Sequence, residues 1–314
     1  MEKLRGDGML KPKSRWIIQQ ADKDKTLQLA EKLNISPFVA ALLVNRKIEK
    51  VEEARAFLFA QDENFHDPFL FYGMETAVER IRRAVADKEP ILIYGDYDAD
   101  GVTSTSLLFL ALRRLGAVCG FYIPNRFTEG YGPNETAFRH AADEGVKLII
   151  TVDNGIAALH EAEIAKELGM DLIITDHHEP GPKLPEAYAI IHPKHPEGNY
   201  PFKELAGVGV SFKLAHALLG DLPEELLDLA AIGTVADLVP LKGENRLIVK
   251  RGLEKLRLTE RAGLKALIKS AGLDLFSINE ESIGFQIGPR LNAAGRLDSA
   301  DPAVELILTE DPDE

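Results

Sequence analysis

Only one cysteine, Cys119, occurs among the 314 residues. This excludes an internal disulfide framework and any metal site built from several thiolates. Long apolar runs are missing too: nothing approaches the roughly 20 residues that a bilayer-spanning helix needs. The opening segment MEKLRGDGMLKPKSRW lacks the apolar core of a signal peptide. A cytoplasmic location, with no membrane contact, is the resulting expectation. Positive charge is also scarce, with 37 Lys and Arg against 50 Asp and Glu and a net charge of −13. That balance argues against a polyanionic partner for the surface as a whole. It says little about a single cleft, where bound divalent cations would cancel acidity locally. What remains is the composition of an ordinary globular protein, 45% apolar and 28% charged. Its length allows two domains, or one large domain with additions.

From Ile91 onward, short β-rich runs alternate with helical patterns. The candidate strands are ILIY (91–94), AVCGFYI (117–123), KLIITV (147–152), DLIIT (171–175) and AIIH (189–192). Helical periodicity fills 102–115, 134–144 and 156–168 between them. Strands that are apolar throughout and separated by helices indicate a parallel sheet covered on both faces. The expected fold is therefore α/β: a doubly wound, mostly parallel five-stranded sheet with helical additions at both ends. Residues 25–87 read as helices, as do 206–219, 223–236, 245–257 and 261–272, whereas 177–188 and 192–202 are Pro- and Gly-rich loops. Expected limits are 1–70 for an N-terminal helical extension, 71–242 for the α/β domain and 243–314 for a helical segment. The last residues, LTEDPDE, resemble a linker.

Ligands of a doubly wound sheet collect at the carboxyl ends of its strands, and here those ends are acidic. The first strand leads into GDYDADG, with Asp96, Asp98 and Asp100 at alternate positions. The third ends at Asp153, the fourth in Asp176, His177 and His178, and the fifth at His192. Asp237, in GTVADLVPL, follows a helix that could return it to the same edge. Taken singly, an aspartate at a strand end is often a helix cap or turn residue. His192 and His195 flank prolines in a loop, and His66, His140, His160 and His216 read as structural. Taken together, the carboxylates would repel one another unless a divalent cation turned repulsion into attraction. Carboxylate with imidazole and no thiolate suits Mn²⁺ or Mg²⁺ better than Zn²⁺ or Co²⁺. Shared carboxylates allow two metals about 4 Å apart, a geometry that hydrolyses phosphoesters through an activated water. A phosphoacceptor site would not need the two histidines. A dinucleotide site would need a G-x-G-x-x-G that Gly95 and Gly101 do not supply.

GDYDADG, TVDNG (151–155), TDHH (175–178) and GTVADLVPL (233–241) resemble, in order and spacing, motifs I to IV of the DHH phosphoesterases. GPRLNAAGRL (288–297) narrows the resemblance to the RecJ branch of single-strand-specific exonucleases, which PNRFTEGYG (124–132) and SRW (14–16) also resemble. The resemblance covers nearly the whole chain. It makes 71–242 the DHH domain and implies a two-metal centre. In that centre Asp98, with Asp96 as ligand or support, would hold the first metal and Asp100 the second, with Asp153 bridging. His177 and Asp237 would complete the ligands of the second metal, His178 would face the scissile phosphate, and Asp176 would orient the histidine pair from behind. Tyr94 stands where many DHH proteins have a metal-binding histidine. Nothing after Arg296 resembles the second catalytic domain or the DNA-binding domain of the branch, so the chain is expected to be an N-terminal catalytic portion.

The activity so implied is 5′-to-3′ hydrolysis of single-stranded DNA in repair and recombination, with Mn²⁺ or Mg²⁺. The implied partners are single-stranded DNA and, by resemblance alone, a single-strand-binding protein or helicase. Alternatives are a DHH phosphoesterase for pyrophosphate, cyclic dinucleotides or short RNA, and a metal- or DNA-binding fragment without turnover. Arg126, Arg290 and Arg296 are candidates for gripping phosphates, since guanidinium forks bind them bidentately, or else they pair with surplus carboxylates. Asn292 would position a neighbour or contact substrate. TSTS (103–106) could offer hydroxyls and backbone N–H groups to a phosphate or merely cap a helix. Phe127 and Tyr131 could stack bases or belong to a Gly-rich turn. Trp16 reads as a packing anchor.

Overall fold

The computed structural model describes residues 17–59 and 65–311, so the expectations for Trp16 and SRW lie outside the described residues. The chain divides into two units, Met1–Glu63 and Asn64–Glu314. The smaller contains α1 (Lys23–Leu33), α2 (Pro37–Asn45) and α3 (Val51–Phe59). Asp22 caps α1 through the Lys25 amide, Asn34 ends it in the left-handed region, and Ser36 caps α2 ahead of Pro37. Leu29, Leu33, Ala40, Leu43, Val44, Ile48 and Ala54 form this unit's own core.

In the larger unit, α4 (Met74–Asp87) leads into β1 (Ile91–Tyr94), α5 (Ala99–Arg114), β2 (Cys119–Tyr122), α6 (Glu135–Asp143), β3 (Leu148–Val152), α7 (Leu159–Glu167), β4 (Asp171–Thr175) and β5 (Ala189–Ile191). The five strands are parallel and lie in the order β2-β1-β3-β4-β5. The apolar runs have no polar face because both faces are covered. Ile91, Ile93, Leu148, Ile150, Val152 and Ile173 pack with α4, α5 and the later helices. Tyr94, Ile149, Leu172 and Ile174 pack with Phe138 of α6 and Ile164 of α7. Strand order reverses between β1 and β3, and there the carboxyl ends of two central strands open a crevice.

The later helices are α8 (Gly207–Leu219), α9 (Leu227–Ala236), α10 (Gly243–Leu256), α11 (Ala262–Ser270), a single turn α12 (Glu280–Ser282), α13 (Gly288–Leu297) and α14 (Asp301–Leu308), with a π-helical stretch Ile283–Ile287 before α13. Their apolar residues Ile248, Leu264, Ile283, Leu291 and Val304 belong to the main core, so no break falls at residue 242. The first boundary lies at 63/64, and a charge cluster explains its distance from the expected 70/71. Buried Lys213 bonds the His66 carbonyl, and Glu244 accepts the His66 amide at 3.1 Å. Phe71 stacks on Tyr200 at 3.7 Å, so the segment from Phe65 is fastened to α8 and α10. Among the described residues no helix is long and apolar enough to cross a membrane.

Candidate metal centre

The first carboxylates arrive through a helix start. Asp98 caps α5, its Oδ1 accepting the Asp100 amide at 2.9 Å and the Gly101 amide at 3.0 Å. The helix therefore begins at Ala99, ahead of the 102 expected from periodicity, and Asp100 lies in its first turn. There Asp100 faces a second helix start: Gly207 and Val208 at the head of α8 donate their amides to its Oδ2 and Oδ1 at 2.7 and 2.9 Å. The residue before α8 offers no side-chain cap. Asp100 supplies one from 107 residues away in sequence, and the helix dipole favours its negative charge.

Asp153 ends β3 with φ +62°, in the left-handed region that an aspartate tolerates better than most residues. A Cβ at Gly207 would stand 2.3 Å from its Oδ1, and one at Gly233 would stand 2.7 Å from Asp100 Oδ1. These two glycines let α8 and α9 approach the carboxylates. His177 Nε2 lies 3.1 Å from Asp153 Oδ1, 3.7 Å from Asp237 Oδ2 and 3.9 Å from Asp100 Oδ2. Asp237 terminates α9, which returns it to the strand edge.

Among the described residues, ligand atoms of Asp96, Asp98 and Asp153 lie within 4.8 Å of one another, as do those of Asp100, His177 and Asp237. A third such group, Asp153, His177 and His178, joins them. The residue types and positions also fit divalent ions on a separate test. Asp96 Oδ1 and Asp237 Oδ2 are buried without a hydrogen-bond partner, and Asp153 Oδ1 and His177 Nε2, 3.1 Å apart, face each other without hydrogen-bond geometry; buried polar atoms left so are costly. Burial, then the charge of Asp98, pushes Asp96 and Asp100 up to about 7. Burial, then Asp100, pushes Asp237 up to about 7 and Asp153 well above its usual range. Ionising these carboxyls together is thus unfavourable with only the site's own amides to offset the charge, and a dication would offset it.

His178 is built differently. Asp176, 1% exposed, accepts His178 Nδ1 at 2.7 Å, the amides of His177 and His178 at 2.7 and 3.1 Å, and the Ile156 amide at 2.9 Å. Burial opposes charge on Asp176, but these donors, led by His178, outweigh it and lower its pKa. The same hydrogen bond raises that of His178, whose ring is half exposed at the mouth of the crevice. His177 moves the other way, lowered by burial. Tyr131 hydroxyl touches both parts, donating to the Asp153 carbonyl at 3.2 Å and lying 3.2 Å from His178 Nδ1. It also meets Tyr97 edge-on, with ring centroids 6.4 Å apart.

The basic candidates differ in what they touch. Arg126 lies over the Tyr97 ring at 4.9 Å. Arg290 bonds the Gln286 carbonyl at 2.9 Å, and Arg290 and Arg296 are exposed. Asn292 Oδ1 accepts the Ala99 amide at 2.6 Å, so α13 braces the GDYDADG turn. Phe127 is exposed in its loop. In the TSTS segment, Thr103, Thr105 and Ser106 turn their hydroxyls to the carbonyls of Ala99, Gly101 and Val102 one turn back, and Ser104 Oγ is buried, so the four lie inside the packed helix. Tyr94 faces away from the crevice, its hydroxyl donating to the Gly132 carbonyl at 3.1 Å and accepting from Asn134 at 3.0 Å. His192 and His195 do not join any of the three ligand groups. His195 stacks on Tyr72 at 4.2 Å. Sequence reasoning missed Gly207, Gly233 and Tyr97; the only trace of the first was a helix starting at GVGV with no capping side chain.

Residues 90–234 match the family model described as the DHH family, N-terminal domain. The chain is similar, at 62% identity over 303 residues, to the single-stranded-DNA-specific exonuclease RecJ of Bacillus subtilis (strain 168), a match spanning 96% of this chain and 38% of that protein. Among solved structures it is similar to RecJ in complex with Mn²⁺ from Thermus thermophilus, with 32% identity, a TM-score of 0.80 and coverage of 95% of this chain and 43% of that one. It is also similar to an exonuclease RecJ bound to manganese, with 38% identity, a TM-score of 0.72 and coverage of 77% and 62%. The chain spans less than two thirds of the length of each.

Proposed function

The chain belongs to the DHH family, and on that premise we propose that it is the N-terminal catalytic portion of a RecJ-type exonuclease. It hydrolyses the phosphodiesters of single-stranded DNA from the 5′ end with Mn²⁺ or Mg²⁺. The observation that carries this reading is the convergence of four buried ligand atoms with no hydrogen bond, three after the carboxyl ends of parallel strands and one, of Asp237, at the end of α9. In support stand the likeness to RecJ proteins and the manganese in two of their structures.

In this reading Asp96, Asp98 and Asp153 would hold one ion, and Asp100, His177 and Asp237 would hold the other. The ions, when bound, offset the carboxylate charge, polarise the phosphodiester and lower the pKa of an attacking water. The chain's own residues do the rest. Asp98 and Asp100 are kept from turning away, because each is tied to backbone amides. Asp176 holds Nδ1 of His178, which leaves Nε2 to carry a proton towards the reacting phosphate. Arg126, Arg290 and Arg296 bind phosphates along the strand, and Asn292 holds the first turn of α5 in place. Within the same reading the protein works in the cytoplasm, in DNA repair and recombination, beside proteins that coat or unwind single strands.

Cleavage of single-stranded oligonucleotides labelled at either end, with Mn²⁺ and with Asp153→Ala as control, tests this. Mononucleotides released first from the 5′ end, and absent with the variant, are the expected result. Turnover confined to pyrophosphate, cyclic dinucleotides or very short RNA would replace the exonuclease with a small-substrate phosphoesterase. Mn²⁺ binding without turnover would leave a binding module.

A further inference from the structure

His192 ends β5, is 1% exposed, and lies in none of the three ligand groups. Its two ring nitrogens have partners of opposite kind. Nδ1 lies 3.0 Å from the Lys194 backbone amide, which can only donate. Nδ1 is therefore the acceptor, and the ring proton sits on Nε2. Nε2 lies 2.8 Å from the carbonyl oxygen of His178, which can only accept. Both partners are backbone groups, so the ring is locked in one tautomer and aimed at one atom of the TDHH loop.

The surroundings brace this contact. The turn that presents Lys194 is closed by the His195 amide on the His192 carbonyl at 3.1 Å, with Pro193 in its corner. A second link joins the same two loops, Lys194 Nζ to Glu179 Oε2 at 2.7 Å. His178 is thus gripped from two sides: Asp176 holds its ring and amide, and His192 holds its carbonyl.

We propose that His192 is a positioning residue for His178, donating from Nε2 to the His178 carbonyl and so fixing where that ring stands at the crevice. The proposal rests on the reading above in which His178 faces the reacting phosphate. Without His192 the carbonyl of residue 178 loses its anchor, and the ring pivots about its bond to Asp176. The loss falls on the reacting geometry and leaves the metal ligands in place.

The test uses His192→Leu, which removes the donor, and His192→Gln, whose side-chain N–H stands near the position of Nε2. Expected for His192→Leu is a fall in kcat of about tenfold, the lower end for partners that orient a reacting group. KM and the Mn²⁺ affinity measured by calorimetry stay within about twofold of wild type. His192→Gln restores most of kcat. In a His178→Ala background His192→Leu costs nothing further, because the residue acts through His178. A tenfold loss of Mn²⁺ affinity, a loss in full on top of His178→Ala, or no change in kcat would each overturn the proposal. Imidazole ¹⁵N spectra give a reading independent of turnover. His192 is expected as the Nε2–H tautomer, with His178 ring signals that shift in His192→Leu and return in His192→Gln. If wild type loaded with Mn²⁺ cleaves no strand, the exonuclease reading fails, and the spectra alone decide the clamp: unmoved His178 signals would overturn it.

Discussion

Two places in the larger unit bury charge, and they solve the problem in opposite ways. Around α8 and α10, Lys213 is fully buried against Glu244, 3% exposed, at 3.0 Å. Glu244 also accepts the Tyr200 hydroxyl at 2.5 Å and the His66 amide, while Lys213 bonds the His66 carbonyl. Each charge there meets an opposite charge or a dipole, and the result is a fastening. In the crevice the carboxylates outnumber their donors, and four ligand atoms are left without a hydrogen bond. A charge cluster satisfied from within holds a fold together. One left in deficit is built to be completed from outside.

Removing the shared carboxylate breaks the comparison most sharply. Asp153→Ala is expected to lower cleavage by on the order of 10³-fold, the several kcal/mol that metal-assisted stabilisation supplies. The metal-free protein should melt no earlier than wild type, because a repelling group has gone. Steady-state cleavage and a melting curve in chelator check both halves. The opposite balance is expected at the other cluster. Glu244→Gln strands a buried lysine and should cost about 3–5 kcal/mol of stability in urea unfolding, with kcat per folded molecule unchanged.

Proton linkage separates the two places by pH. Asp96, Asp100 and Asp237 have folded pKa values near 7, against about 3.9 for an unfolded carboxylate. Groups raised in this way bind more protons folded than unfolded. Their contribution is therefore present below about pH 4 and is lost as pH rises through about 7. Metal-free protein should melt at a lower temperature at pH 8 than at pH 6, and the rise produced by Mn²⁺ should be larger at pH 8. Equal rises at both values in scanning calorimetry would mean that the carboxylates are already ionised without metal.

The smallest effect concerns a residue on the far face of the sheet. Tyr94→Phe should cost about 1 kcal/mol for its lost hydrogen bonds and leave Mn²⁺ affinity unchanged in a calorimetric titration. A weakened affinity would place Tyr94 in the metal centre despite its bonds to Gly132 and Asn134.

Several features were legible because they are local. Apolar runs of four or five residues between helical patterns marked most of the strands, and burial on both faces explains why those runs carry no polar alternation. Aspartates and histidines immediately after such runs marked the crevice, since parallel strands deliver their ends to one edge. TSTS was left open between phosphate contact and capping, and three of its hydroxyls do neither: hydroxyls in a helix satisfy the carbonyl one turn back when nothing outside competes. Asn292 was ambiguous because its partner, the Ala99 amide, lies 193 residues away. The 63/64 boundary was illegible because one buried lysine, far along the chain, ties residues after 64 to α8.

The sequence by itself determined the element types, the parallel sheet and the clustering of carboxylates with imidazole, because periodicity and strand ends are properties of neighbouring residues. Tertiary structure alone decided which carboxylate oxygens are spoken for and which are open. Asp100 is occupied by the amides of α8, Asp176 by four donors, and His192 by two backbone groups, whereas Asp96 Oδ1 and Asp237 Oδ2 are left without a hydrogen bond. Those assignments depend on helices and strands far apart in the chain being packed at hydrogen-bond distance, a condition that no stretch of neighbouring residues contains.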